Sequence, residues 1–124
     1  MTLNLLFVIN TILAGLFGLG LIFMPAFISE FYGADLTSAG LLLSQMMGAC
    51  LIGFAILTWL GRGLDDFEAR RSMAIVFLLG YLIAFVLSLT GQLNGVLNPN
   101  GWINVAGYGI LTLAFGYFTL TRKN

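Results

Sequence analysis

Histidine is absent from this 124-residue chain, and cysteine occurs once. Without histidine the commonest metal ligand, the usual haem ligand and the usual general base are all missing. The lone Cys50 excludes an internal disulfide and says nothing about redox compartment. Charge is nearly as scarce: 8% of residues are charged, against roughly 25% in soluble domains. A water-soluble domain of this size cannot cover its surface with so few. No ionisable residue falls within the long apolar stretches, where such residues mark ion paths and proton relays, so a proton-coupled pump is disfavoured. No serine has a credible base, and no glycine-rich turn follows a strand to cradle phosphate. Basic residues form no patch of the kind nucleic acid requires. The expectation is a chain that is not an enzyme, takes no cofactor and no nucleic acid, and has no catalytic, cofactor-binding or metal-binding residue to assign.

What the chain has instead is hydrocarbon. Hydrophobic residues make up 60% of it, with a mean hydropathy of +1.02. A membrane-spanning helix needs about 20 mostly apolar residues, and four windows satisfy that, at about 3–23, 37–60, 72–92 and 102–120. The runs are continuous, whereas barrel strands alternate apolar and polar residues, so helices are predicted. Met1-Thr2-Leu3-Asn4 carries no basic leader and the first run is long for a signal core, so it is expected to be retained. The predicted fold is all-α: a polytopic membrane protein, a single transmembrane domain over residues 1–124 forming a four-transmembrane-helix bundle in contact with the lipid bilayer.

The few charges are placed unevenly. Six of the ten lie between Gly61 and Arg71, which divides the chain into two apolar hairpins. All five basic residues, Arg62, Arg70, Arg71, Arg122 and Lys123, fall in this central loop or at the C-terminus, and neither other connection has any. Under the positive-inside rule the central loop and both termini are cytoplasmic, an N-in/C-in topology. Asp65 is expected to cap the third span with Glu68 three positions on, and Asp66 and Arg70 have the favourable four-residue spacing.

Small and polar residues define helix faces. In the first span Asn4, Thr11, Gly15 and Gly18 share one side, and Asn10 adds a further amide. Met24-Pro25 ends that span, and Phe27, Ile28, Phe31 and Tyr32 before Gly33 predict a short interfacial helix between the first and second spans. Asp35, Thr37 and Ser38 offer caps for the second span, which carries Ser44–Gly48 and Ala49–Gly53 at the small-xxx-small spacing of close membrane packing. The Gln45 amide is long enough to bond across to Asn10 or Asn104, and Cys50 is expected to be a small core residue. Met46 and Met47 point about 100° apart and are apolar filling rather than a soft-metal site. Trp59 marks the inner interface. Gly80, Ala84 and Ser88 give the third span a packing face at four-residue steps. Asn104, Tyr108, Thr112 and Gly116 form a stripe on the fourth, which is both a packing pattern and the best candidate for the lining of a cleft.

The N-terminal span closed by Met24-Pro25, the Phe31-Tyr32-Gly33 that follows, Gly48-Ala49, the exit Trp59-Leu60-Gly61-Arg62, and Gly101-Trp102 together resemble small four-helix bacterial membrane proteins loosely grouped with the DoxX-like families. The resemblance implies a bacterial inner-membrane setting. It also permits a role as partner subunit in quinone-dependent oxidation, with which some members of that wider group are linked. It implies no site residue. The expected function is that of a non-catalytic integral membrane protein acting by helix association, as an accessory subunit of a membrane complex or as a homo-oligomer, with Gly15, Gly18, Ser44, Gly48, Gly53, Gly80, Ala84 and Ser88 as packing positions. The alternative is a binder or transporter of a lipid-like or uncharged small molecule, such as a quinone or a lipid, through a cleft lined by Asn10, Gln45, Asn104, Tyr108 and Thr112.

Overall fold

A computed structural model of the chain describes residues 2–121. The topology residues Arg122 and Lys123 lie outside the described residues. The protein is all-helical: α1 (Leu3–Phe23), α2 (Pro25–Phe31), α3 (Ser38–Gly61), α4 (Phe67–Leu93) and α5 (Trp102–Thr121), with a 3-10 turn at Pro99–Gly101 before α5. The four long helices have the length and apolarity to cross a bilayer. Their outward side chains agree with that reading, since Leu16, Leu87 and Leu113 are 67%, 68% and 76% exposed. A helix apolar all round needs an apolar solvent, and lipid supplies it. The chain is therefore a multi-pass membrane protein.

Local chemistry sets the ends of the helices. Met24 is non-helical before Pro25, which opens α2 at the position proline tolerates best. Gly33, at φ 72, ends α2 with its N–H on the Glu30 carbonyl. Thr37 caps α3 by accepting from the Gly40 N–H at 3.2 Å. The α4 cap is Asp66, accepting from the Glu68 N–H at 3.0 Å, and not the expected Asp65. The helix starts at Phe67, directly after Asp66, so Asp65 lies one residue too early to reach the free amides. This cap also starts α4 five residues before the expected span and brings Glu68, Arg70 and Arg71 into its first turns. At 27 residues α4 is about 40 Å long, more than the roughly 30 Å hydrocarbon layer, so these charges can sit beyond it.

Contacts group the chain into two compact units. One is Phe7–Gly63, the α1–α3 hairpin with α2 at its tip. Its pairings run in opposite directions: Asn10 meets Thr58, Gly15 meets Ala55, Gly18 meets Gly48 and Gln45 meets Ile22. The other unit is the α4–α5 hairpin from Leu64 onward, together with the first turn of α1 as far as Leu6. Aromatic rings stack along its centre, Phe77 on Phe115 at 5.4 Å and Tyr81 on both Tyr108 and Phe115 at 5.8 Å. At its turn, Gln92 donates to the Asn98 carbonyl at 3.0 Å. Gly101 lies against that amide, so a side chain there would meet both Gln92 and Leu97.

Candidate functional site

In the α1–α3 hairpin the polar side chains are turned onto one another. Asn10 and Thr58 are fully buried. The Asn10 amide donates to the Thr58 hydroxyl at 3.4 Å, the two threonine hydroxyls of Thr11 and Thr58 are 2.8 Å apart, and the Thr11 hydroxyl reaches the Ala55 carbonyl at 3.1 Å. Each hydroxyl has one proton to give. The order Asn10 to Thr58 to Thr11 to Ala55 gives each hydroxyl proton an acceptor and crosses the interface three times, and the carbonyls of Phe7 and Phe54, 2.9 and 3.1 Å from the Thr11 and Thr58 hydroxyls, offer a second arrangement within each helix. Such bonds between membrane helices are worth about 0.6 kcal/mol each on average, so the cluster fixes register more than it adds stability.

Two turns further along, the hairpin closes most tightly. A Cβ added to Gly18 would stand 2.8 Å from the Gly48 carbonyl oxygen, and one added to Gly48 would stand 2.7 Å from that of Gly18. Gly15 faces Ala55 at ordinary contact distance, 3.7 Å. Beyond the glycines, the Gln45 amide donates to the Ile22 carbonyl at 2.9 Å. The pairing of Gln45 with Asn10 or Asn104 that the sequence allows is thereby corrected. Ile22 lies twelve residues beyond Asn10 on α1, about 18 Å along the axis. Ser44 turns back to the Gly40 carbonyl at 3.0 Å.

Leu51 and Ile52 of α3 also lie against Gly18, whereas Ala49, Cys50 and Gly53 face away from α1. Cys50, expected in a core, is exposed. It lies two residues past Gly48 and so about 200° round the helix from the α1 contact. Ala49 is exposed as well, and a side chain at Gly53 would meet nothing within 4 Å. Gly53 therefore takes no part in packing inside its hairpin, while Ser44 and Gly48 lie on the α1 side.

In the α4–α5 unit the stripe Tyr108, Thr112 and Gly116 runs toward α4. Tyr108 packs against Tyr81, a side chain at Gly116 would touch Leu78 at 3.4 Å, and the Thr112 hydroxyl donates to its own helix at the Tyr108 carbonyl, 2.7 Å away. Asn104 is half-buried at the head of the stripe. On α4 the contact with α5 is made by the aromatic row Phe77, Tyr81 and Phe85. Gly80 is exposed and a side chain there would meet nothing within 4 Å, so it is not a packing position inside the hairpin. Ala84 and Ser88 are half-buried.

Two features were not singled out from the sequence. Arg70, expected as a topology signal and as the four-residue partner of Asp66, is 8% exposed and donates through its guanidinium to the Asn4 side chain. Thr58 anchors the buried polar cluster. It is the sole hydroxyl between Phe54 and Gly61 in an apolar run, and a polar group in that setting must find a partner, which was the available signal.

A groove opens beside the polar cluster, with a volume of about 340 Å³, lined by Thr11, Gly15, Ile52, Ala55, Ile56 and Trp59. The Arg62 guanidinium lies over the Trp59 ring, 3.6 Å from its centre. Among the described residues no group of His, Cys, Asp and Glu side chains is placed to hold a metal ion. Comparison with protein-family models, with curated proteins and with solved structures gives no match.

Proposed function

We propose that this protein is a non-catalytic membrane protein that works by lateral helix association, as an accessory subunit of a larger membrane complex or as a homo-oligomer. Its setting in this reading is the bacterial inner membrane, as the likeness to DoxX-like proteins implies, with both termini and the α3–α4 loop on the cytoplasmic side. The observation that carries the proposal is the pair of outward small-residue faces, Ala49 with Gly53 on α3 and Gly80 on α4. Small residues on a lipid-facing surface give up dispersion contact with lipid unless another helix approaches closely, which is how membrane helices associate. Neither glycine has a neighbour to accommodate inside its own hairpin.

The transporter alternative needs the amides and hydroxyls of Asn10, Gln45, Asn104, Tyr108 and Thr112 to be available in one place. Asn10 and Gln45 each bond within one hairpin about 18 Å apart, and Thr112 bonds to its own helix. That leaves association as the better-supported reading. Its test is native mass spectrometry of the wild type and of Gly80→Leu and Gly53→Leu. A defined complex that dissociates in the variants supports it; an identical assembly in all three counts against it.

A further inference from the structure

We infer that the α1–α3 groove is a site for one anionic phospholipid of the leaflet on the side of the α3–α4 loop. The walls select hydrocarbon. Ile52, Ile56 and Trp59 form the sides, and Gly15 and Ala55 lie together at the floor. The single hydroxyl, that of Thr11, is within bonding distance of Ala55 and Thr58, so its proton is spent inside the protein. Apart from the Trp59 indole N–H at the interface end, a polar ligand would find no donor there. From Trp59 to Ile52 the groove runs two turns of α3, about 10 Å, which reaches some two-thirds of the way to the middle of a roughly 30 Å hydrocarbon layer.

The mouth selects charge. Arg62 caps α3 next to the groove, with its guanidinium over the Trp59 indole. Its Nε is buried without a hydrogen-bond partner, and no carboxylate among the described residues pairs with it. Asp66, four residues on, spends an oxygen capping α4. Tryptophan favours the headgroup level, and a guanidinium fixed there presents parallel N–H donors that fit two oxygens of a phosphate. A bilayer lipid offers the same two parts in the same order, an acyl chain below and a phosphate at the interface. Net negative charge on the headgroup completes the match to an uncompensated cation.

The test uses the full chain in detergent, titrated with phosphatidylglycerol or with phosphatidylcholine of the same acyl chains, and read by native mass spectrometry. The wild type should retain one phosphatidylglycerol per chain, about tenfold better than phosphatidylcholine. Arg62→Gln should abolish the preference while leaving weak retention of both lipids. Ile56→Trp, which fills the groove from an exposed position, should reduce retention of both with helical content unchanged. Arg71→Gln removes a charge from the first turns of α4, outside the groove lining, and should retain the preference. Equal loss in Arg62→Gln and Arg71→Gln would overturn the site in favour of diffuse charge attraction. So would a wild type that does not distinguish the two lipids, or Ile56→Trp retaining lipid as the wild type does.

Discussion

Gly18 and Gly48 each occupy the space that the other's side chain would need: a Cβ on either would stand within 2.8 Å of the opposite carbonyl oxygen. The obstacle is backbone on both sides, so rotating a side chain cannot relieve it. In lipid, where burying apolar surface between helices gains little over contact with acyl chains, this close approach contributes cohesion to the α1–α3 hairpin alongside its interhelical hydrogen bonds.

Gly18→Ala and Gly48→Ala should therefore each destabilise the hairpin by about 1–3 kcal/mol, the usual range for overpacking. Gly53→Ala, with nothing within 4 Å, should not destabilise it and, by helix propensity, should add up to about 1 kcal/mol. Thermal unfolding in a mild detergent, followed by circular dichroism, distinguishes these outcomes. Equal midpoints for Gly48→Ala and Gly53→Ala would show that the close approach contributes nothing.

The buried polar cluster gives a prediction about coupling. Asn10→Leu and Thr58→Val should each cost roughly 0.6–2 kcal/mol, the range for interhelical polar bonds in membranes. Combined, they should cost less than their sum, because each single change already breaks the shared bond. Strict additivity in a double-mutant cycle would mean that the 3.4 Å Asn10–Thr58 contact carries no energy.

Asn4 and Arg70 are joined in the other unit, where Arg70 is 8% exposed. Removing an acceptor from a buried charged donor costs about 1–3 kcal/mol or more. Asn4→Leu should lower stability by that amount, and Asn4→Gln should restore part of it by returning an amide oxygen. If Asn4→Leu unfolds at the wild-type midpoint, the bond is incidental.

The four spans were legible because a run of about 20 apolar residues is a strong signal for a bilayer and needs no knowledge of partners. The α3 cap was narrowed to Asp35, Thr37 or Ser38, and the structure selects Thr37, whose hydroxyl meets an amide three residues on. The Asp66 cap was missed by one residue because Asp65 and Asp66 offer the same carboxylate, and only the position where α4 starts decides between them. Partner choice across helices was harder to read. Ser44–Gly48 and Ala49–Gly53 have identical spacing in the sequence, yet one faces α1 and the other faces away. Gln45 found a backbone carbonyl, which no pairing of polar residues in the sequence can reveal. Arg70 looked like a topology signal because positive charge near a span always does, and its burial against Asn4 depends on contact between residues 66 positions apart.

Association through the outward glycines remains the central proposal, and native mass spectrometry of protein extracted gently from its own membranes tests it most directly. The account predicts a defined assembly, of several copies or with other subunits, that falls to the single chain in Gly80→Leu while helical content is unchanged. A single chain in the wild type, or an assembly that survives Gly80→Leu and Gly53→Leu together, would contradict it.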